Sequence, residues 1–281
     1  MSSQLGIDRR NVRQVNWFPV ESVGSDVVGP FVQRILSQNL GAVIVEQVFS
    51  PDACLAWSNA LDSGRLPVAP TKFAQEFEAW SYGPCLDQCE GRLDEYLARS
   101  ASFEDALAHG ELGNDIAGLV LAQIGRLALG LSVERPHARD GRQYALMNLR
   151  RLPPGGIIPP HCENEQFHRA AYDDLRSRLH LDALLSFYVS VRPADIGGRL
   201  AVHDATWSSL REQTKNGHLQ VGGAIVDADF VSFQLPPGSM IIFDGGRWVH
   251  QILPVEGTRN RWTMGGFLAL GSARDRIFAW A

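Results

Sequence analysis

The sequence predicts a mainly β fold of the antiparallel barrel or jelly-roll class, with helices added before it. From Gln143 onward, short apolar runs alternate with turns rich in proline and glycine, which is typical of antiparallel all-β architectures. Before that point the patterns are mostly helical. No internal repeat or low-complexity segment divides the chain. We therefore expect a single domain over 1–281, with a mostly helical part at 1–140 and a jelly-roll core at 141–281.

Capping signals and apolar periodicity define the elements of the N-terminal part. Gly41 follows one helical stretch as a C-terminal cap, Ser50-Pro51 opens a second helix, and Asn114 or Asp115 opens a third. Residues 64–100 show no assignable pattern. The predicted elements are a helix over 31–40, a strand over 42–48, a helix over 51–62 and a helix ending near residue 129.

The strands of the core are predicted from apolar runs bounded by turn residues. The runs are 144–152, 184–191, 200–203, 230–235, 240–243, 248–253 and 262–270. Two polar insertions separate some of them. We expect 164–183 to be helical and charged and 204–229 to be a polar loop, and such segments beside an active site commonly form lids.

Composition indicates a globular protein without a strong charge of either sign. At 281 residues and 45% hydrophobic residues, the chain can bury a sizeable core. The net charge of −5 gives no basic field to attract nucleic acid or an anionic membrane. No apolar run suggests a signal peptide or a membrane span. We expect a cytoplasmic protein that acts on a small molecule, without a nucleic-acid or membrane partner; the oligomeric state is not indicated.

A candidate metal site begins at His161-Cys162-Glu163. Residues i and i+2 of a strand point to the same side, so His161 and Glu163 can share one metal while Cys162 faces elsewhere. Two imidazoles and one carboxylate are the protein ligands of non-haem Fe(II) sites, which keep the opposite positions open for a co-substrate and O₂. An isolated His-x-Glu tripeptide is usually accidental, so the rest of the sequence pattern decides whether His161 and Glu163 are metal ligands.

The second imidazole has to come from a distant strand, and His250 lies within the apolar run 248–253. A lone histidine among apolar residues is more often a hydrogen-bonded core residue. Here, however, Arg261-x-Thr263 follows eleven positions later. A planar guanidinium can bind a carboxylate through two parallel hydrogen bonds, and a threonine hydroxyl can donate another. His250 is the candidate for the second imidazole.

Taken in order, His161-x-Glu163, His250 and Arg261-x-Thr263 resemble the ligand and anchor pattern of the Fe(II)/2-oxoglutarate-dependent dioxygenases. The segment 197–200, Gly-Gly-Arg-Leu, is similar to that family's turn into a strand, and the resemblance covers about residues 140–270. It implies a double-stranded β-helix, the cupin-like jelly roll, buttressed by N-terminal helices. It also implies Fe(II), 2-oxoglutarate as co-substrate and O₂, with His161, Glu163 and His250 as the catalytic metal ligands.

The resemblance implies contacts with the co-substrate as well. In the family, a basic residue about ten positions after the distal histidine pairs with the far carboxylate of 2-oxoglutarate, which points to Arg261 with Thr263 beside it. Arg259 is the alternative because it shares strand parity with Arg261, although only Arg261 has a threonine at the family's spacing. Asn148 and Tyr144 are four residues apart before the first ligand, so they could hydrogen-bond the co-substrate or be ordinary polar strand residues.

The implied activity is that of an enzyme of biosynthesis that hydroxylates an unactivated C–H bond of an amino acid or natural-product intermediate, releasing succinate and CO₂. Desaturation, epoxidation or cyclisation by the same oxidant are alternatives. A protein of a different class, a non-redox metal-binding jelly-roll isomerase or a binding module, would use the histidines but would not need Arg261-x-Thr263.

Glu163 bears on the type of reaction. Halogenases of the family replace this carboxylate with a small residue, so that chloride can bind the iron. A carboxylate fills the position here, so the resemblance predicts oxygenation and not halogenation. Glutamate is one methylene longer than the commoner aspartate, and members of the family with glutamate are known.

Overall fold

Two facing β-sheets, with helices packed on the outside of the larger one, form the architecture of the protein. The structure is a computed structural model, and it describes residues 15–64, 70–72, 78–89, 91–109, 115–180, 183–210, 214–215, 218–219, 225 and 228–281.

The strands are β1 (Val20–Gly24), β2 (Ala42–Glu46), β3 (Pro70–Lys72), β4 (Trp80–Tyr82), β5 (Ser132–Glu134), β6 (Asn148–Leu152), β7 (Ile158–His161), β8 (Leu185–Arg192), β9 (Ile196–Gly197), β10 (Leu200–Thr206), β11 (Thr214–Lys215), β12 (His218–Leu219), β13 (Phe230–Phe233), β14 (Met240–Phe243), β15 (Trp248–Ile252), β16 (Val255–Glu256), β17 (Arg261–Leu270) and β18 (Arg276–Trp280). The α-helices are α1 (Phe31–Leu36), α2 (Pro51–Asp62), α3 (Leu93–His109), α4 (Ile116–Leu127), α5 (Asp173–Arg176) and α6 (Trp207–Leu210). Short 3-10 helices lie at Leu86–Cys89, Glu163–His168 and Ala170–Tyr172.

The strand order is that of a jelly roll. The large sheet runs β1-β2-β14-β8-β17-β6-β4-β3, with β18 paired to β17 and β5 paired to β18, and the small sheet runs β13-β10-β15-β7. The pairs in both sheets are antiparallel except β1 with β2 and β5 with β18. At the centre of the large sheet, β14, β8, β17 and β6 pair although they are distant in sequence. The prediction of a mainly β double-stranded β-helix with helical additions is confirmed, although the two sheets do not close into a barrel.

Alternate residues of the central strands face two different regions, the apolar core beneath the helices and the cavity between the sheets. On β17, Trp262 and Met264 are buried in the apolar cluster between the large sheet and the helices. Arg261 and Thr263 point the other way and line a cavity between the sheets. Because side chains alternate along a strand, the same ten residues supply both the core and the polar lining of the cavity.

The three predicted helices are present: α2 has the predicted bounds, and α1 and α4 end earlier than predicted. The side chain of Ser50 caps α2 by accepting a hydrogen bond from the Ala53 N–H at 3.2 Å, as the sequence predicted. Asp115 caps α4 in the same way, whereas Asn114 lies outside the described residues. The first helix ends at Leu36 and not near residue 40, because Gln38 adopts a φ of 64° and turns the chain before Gly41.

The part at 1–140 is not only helical, since it also supplies β1 to β5 to the large sheet. The insertion at 164–183, predicted to be helical and charged, folds into short 3-10 and α-helical turns, and residues 181–182 lie outside the described part. Of the predicted loop 204–229, the described residues form the end of β10, α6, β11 and β12, and much of the rest is not described. Within the described part of the chain, none of the helices has the length and apolar character that a membrane span requires.

Asp62, the last residue of α2, connects that helix to the start of β17. Its Oδ1 accepts hydrogen bonds from Asn260 Nδ2 at 2.8 Å and from the buried Trp262 Nε1 at 2.9 Å, and its Oδ2 pairs with Arg192. Burial would raise the pKa of Asp62, but these hydrogen bonds lower it below its usual value. The stabilisation is therefore present above the pKa of an unfolded aspartate and is lost as the pH falls through the lowered folded pKa.

We predict that Asp62→Ala lowers the free energy of unfolding by about 1–3 kcal/mol, because buried donors lose their acceptor. Urea unfolding at neutral pH measures this change. Asn59→Ala, an exposed substitution in the same helix, is the control and should stay within about 0.5 kcal/mol of the parent. Equal stability of the two variants would contradict a structural role for the Asp62 cluster.

Candidate active site

A cavity of about 80 Å³ lies between the two sheets. Its apolar walls come from residues such as Ile158, Leu200 and Ile252, and its polar groups project from β6, β8, β15, β17 and the end of β7. The polar residues that line it are Asn148, Arg150, His161, Glu163, Ser186, Tyr188, His250, Arg261 and Thr263.

Three of these side chains converge at one point of the cavity. His161 ends β7 and is the register partner of His250 on β15, so their rings lie side by side with centroids 4.3 Å apart. Oε1 of Glu163 lies 3.4 Å from Nε2 of His161 and 3.5 Å from Nε2 of His250. The ligand atoms all lie within 4.8 Å of one another, and among the described residues no other group of three or more could hold a metal ion in this way.

The backbone after β7 explains how His161 and Glu163 meet. The strand ends at His161, two residues earlier than a shared strand would require, and Glu163 already begins a 3-10 helix. Cys162 between them is still extended, with φ −127° and ψ 137°, so the alternation of side chains continues. Cys162 accordingly points away from the cavity into a small apolar cluster with Val249.

Backbone carbonyl groups orient both imidazoles. Nδ1 of His161 lies 2.8 Å from the Pro159 carbonyl oxygen, and Nδ1 of His250 lies 3.0 Å from that of Trp248. A carbonyl oxygen can only accept, so Nδ1 carries a proton on each ring, and Nε2 of a neutral ring presents its lone pair to the cavity. This second hydrogen bond is the usual support of a metal-binding histidine.

The electrostatics of the cluster keep the carboxylate ionised. Burial would raise the pKa of Glu163, but hydrogen bonds and charge from the protonated imidazoles of His161 and His250 hold it well below its usual value. Burial and repulsion by His161 lower the pKa of His250, which favours its neutral form. Two imidazole nitrogens and one carboxylate oxygen in a buried pocket fit a divalent transition metal such as Fe(II).

The opposite end of the cavity is cationic. Arg261 is only 5% exposed, its guanidinium carbon lies 5.4 Å from the centre of the Tyr188 ring, and Thr263 follows on the same face of β17. Arg150 on β6 is the register partner of Thr263, and Asn148 is the partner of Gly265. Burial lowers the pKa of Arg261, and the charge of Arg150 lowers it further. Two guanidinium groups here would attract a carboxylate.

The Gly197-Gly198 turn leaves room for the side chain of Arg261. Gly198 has a φ of +60°, and a Cβ atom there would lie 2.8 Å from Cβ of Ala194 and 3.1 Å from Cδ of Arg261. Any larger residue would be strained in its backbone and would press on the Arg261 side chain. The resemblance of this turn to the family pattern therefore has a local physical reason.

Two of the predicted co-substrate residues lie elsewhere. Arg259 is in the turn before β17, its side chain is 60% exposed, and its Nε donates to Oδ1 of Asp195 at 2.6 Å. Tyr144 precedes β6, which begins only at Asn148, so the two do not share a strand face. The Tyr144 hydroxyl donates to Asp174 at 2.8 Å, outside the cavity.

Sequence reasoning missed Arg150, Ser186 and Tyr188, which line the cavity. Strand parity was the signal that could have identified them. Arg150 shares the parity of Asn148, and the apolar run of β8 carries Ser186 and Tyr188 at alternate positions. In a strand buried on both faces, polar residues at every second position mark the side that faces a polar cavity.

A double-stranded β-helix with a His-Glu-His cluster between its sheets defines an Fe(II)/2-oxoglutarate-dependent oxygenase as the class of protein. The family model described as carrier-protein-independent halogenase WelO5 matches residues 18–281. The chain belongs to this family, which is Fe/2-oxoglutarate-dependent. The predictions of an enzyme of this class and of its dependence on Fe(II), 2-oxoglutarate and O₂ are thereby confirmed.

Solved structures show the same fold. Two of them are of an N-substituted L-amino acid dioxygenase from Burkholderia ambifaria AMMD, the second in complex with alpha-KG. They are 14% and 15% identical to this chain, each over 88% of this chain and 89% of the other, with TM-scores of 0.56 and 0.53. At such low identity the likeness concerns the fold alone. No curated protein matches the chain significantly.

We predict that the anaerobic protein develops a weak visible charge-transfer band when Fe(II) and 2-oxoglutarate are added together. His161→Ala and His250→Ala should remove the band while the protein stays folded, because each deletes one nitrogen of the cluster. Absorption spectroscopy measures the band and circular dichroism the fold. His203→Ala, which removes another buried histidine of the small sheet, is the control and should keep the band. A band that persists in His250→Ala would exclude this residue as a ligand.

Proposed function

We propose that the protein is an oxygenase that uses His161, Glu163 and His250 to bind Fe(II) and hydroxylates an unactivated C–H bond of a small molecule. The observation that carries this proposal is the buried carboxylate of Glu163, whose Oε1 lies within 3.5 Å of both Nε2 atoms. When bound, Fe(II), 2-oxoglutarate and O₂ supply the oxidation: one oxygen atom enters the substrate C–H bond, the other enters succinate, and CO₂ leaves.

The chain's own residues orient the reactants. Arg261 and Thr263 bind the far carboxylate of 2-oxoglutarate, through paired hydrogen bonds from the guanidinium and one from the hydroxyl. Asn148, Arg150 and Tyr188 line the same space and contact the co-substrate from β6 and β8. Apolar residues around the histidines limit the access of water.

The family to which the chain belongs is that of the carrier-protein-independent halogenase WelO5, so halogenation is the competing reaction. A halide would need a metal position that no protein ligand occupies. Glu163 supplies a charged oxygen where a halogenase of this type has a small residue, and a halide beside that carboxylate would meet electrostatic repulsion. Glu163 therefore supports oxygenation, even though the chain belongs to a family described by a halogenase.

The remaining alternatives are either other oxidations at the same site or functions without redox chemistry. Desaturation, epoxidation and cyclisation need the same residues, so the cluster does not separate them from hydroxylation. A non-redox isomerase or a binding module would have no use for buried Arg261 opposite the histidines, and the geometry favours an oxygenase over both. An amino acid or natural-product intermediate as substrate, and a cytoplasmic location, stay predictions from the sequence.

The reaction can be tested by screening small metabolites for substrate-dependent release of succinate. Mass spectrometry of the product, in a buffer that contains chloride and bromide, then identifies the atom added. We expect incorporation of oxygen from O₂ and no halogen, because the carboxylate occupies the halide position. A chlorinated or brominated product would overturn the proposal.

We predict that Arg261→Ala weakens the binding of 2-oxoglutarate by about 30-fold or more, since loss of a buried charged partner costs roughly 2 kcal/mol or more of binding free energy. Arg259→Ala removes an arginine two residues away that is exposed and paired with Asp195, and should change the affinity less than about 2-fold. The KM for 2-oxoglutarate and its dissociation constant in the anaerobic Fe(II) protein provide the measurement. If Arg259→Ala weakened the binding of 2-oxoglutarate more than Arg261→Ala does, Arg259 and not Arg261 would be the residue that binds its far carboxylate.

A further inference from the structure

The second carboxylate oxygen of Glu163 has partners of its own. While Oε1 lies beside the two imidazoles, Oε2 accepts a hydrogen bond from the side-chain amide of Gln166. The amide oxygen of Gln166 in turn accepts a hydrogen bond from the hydroxyl of Tyr172. Glu163, Gln166 and Tyr172 are 6%, 7% and 0% exposed, so the chain of hydrogen bonds is shielded from water.

Local geometry places Gln166 over Glu163. Both belong to the 3-10 helix Glu163–His168, and side chains at i and i+3 of a 3-10 helix eclipse one another. The amide N–H group therefore stands next to the carboxylate without any distant element bringing it there. In an α-helix the same spacing would offset the two side chains.

Tyr172 fixes the far end of the chain of hydrogen bonds. It packs edge to face against Phe167 and Trp280, with ring centroids 6.1 Å and 6.4 Å away, inside an apolar cluster that includes the last strand. The position of its hydroxyl is therefore set by core packing. A rigid donor at this end holds the Gln166 amide in one orientation.

A glutamate ligand needs this support more than an aspartate would. Its additional methylene adds a rotatable bond, and a free carboxylate could turn either one or both oxygens toward a metal. If both oxygens were bound, one position needed by the co-substrate would be filled.

We propose that Gln166, held by Tyr172, is a positioning residue that restricts Glu163 to binding the metal through Oε1 alone. This inference rests on the proposed function, because it assumes that the His-Glu-His cluster binds a divalent ion. Outer partners of metal ligands typically change metal affinity by about 10- to 100-fold when they are removed.

The test is anaerobic titration with Co(II), whose visible absorption changes with coordination number. Gln166→Leu should weaken Co(II) binding about 10- to 100-fold and alter the spectrum of the bound ion. Tyr172→Phe removes one hydrogen bond at a distance and should weaken binding about 2- to 10-fold, with a spectral change in the same direction.

Matched controls come from other buried residues. Gln123→Leu removes a buried amide from α4, and Tyr96→Phe removes a buried hydroxyl that donates to the Ala281 carbonyl oxygen. Neither side chain lines the cavity. Both controls should bind Co(II) with the affinity and spectrum of the parent protein, whatever their effect on stability.

The outcomes separate the inference from the proposed function. A folded Gln166→Leu protein with unchanged Co(II) affinity and spectrum would overturn the positioning role. Should that variant not fold, Tyr172→Phe decides, and an unchanged spectrum would overturn the role equally. If the parent protein itself bound no Co(II) in a manner that depends on His250, the proposed metal site would fail and not merely its support.

Discussion

The site depends on a buried negative charge that is stabilised by its neighbours. A carboxylate removed from water is costly unless hydrogen bonds or opposite charges surround it. Glu163 has two imidazoles at Oε1 and the Gln166 amide at Oε2. The register of β7 with β15 brings those imidazoles together. Arg261, the buried cation at the other end of the cavity, gives the site the polarity that a metal ion and a dicarboxylic acid would complement.

Family membership and reaction type are separate questions for this chain. The family model matches nearly the whole sequence and describes a halogenase, whereas the residue that bears on halide binding is a glutamate. A fold and a set of histidines can serve several oxidations, and the third metal ligand bears on one distinction among them, halogenation against oxygenation. The support of Glu163 by Gln166 and Tyr172 shows that the carboxylate is integrated into the core and is not an isolated substitution on a surface.

Sequence patterns located much of the site because its ligands lie at fixed spacings along regular strands. His161, Glu163, His250 and Arg261 could be named from their order and spacing together with the resemblance to the dioxygenase pattern, and all four line the cavity. Tyr144 was misplaced because β6 begins four residues later than the apolar run suggested. Arg150, Ser186 and Tyr188 line the cavity because of the strand face on which they lie. A strand that is buried on both faces is apolar throughout, so its hydrophobicity does not show which face borders the cavity; only the alternate polar positions do. The roles of four further residues also depend on tertiary structure and could not be predicted from the sequence: Gln38, Asp62, Gln166 and Tyr172.

The metal site can be tested by X-ray diffraction, with anomalous data at the iron absorption edge, from crystals of the protein loaded anaerobically with Fe(II). We expect one strong iron peak between the sheets, bound by Nε2 of His161, Nε2 of His250 and a single oxygen of Glu163, with the remaining positions facing Arg261. Iron located elsewhere, or a Glu163 side chain turned away from an iron held by the histidines, would contradict this arrangement.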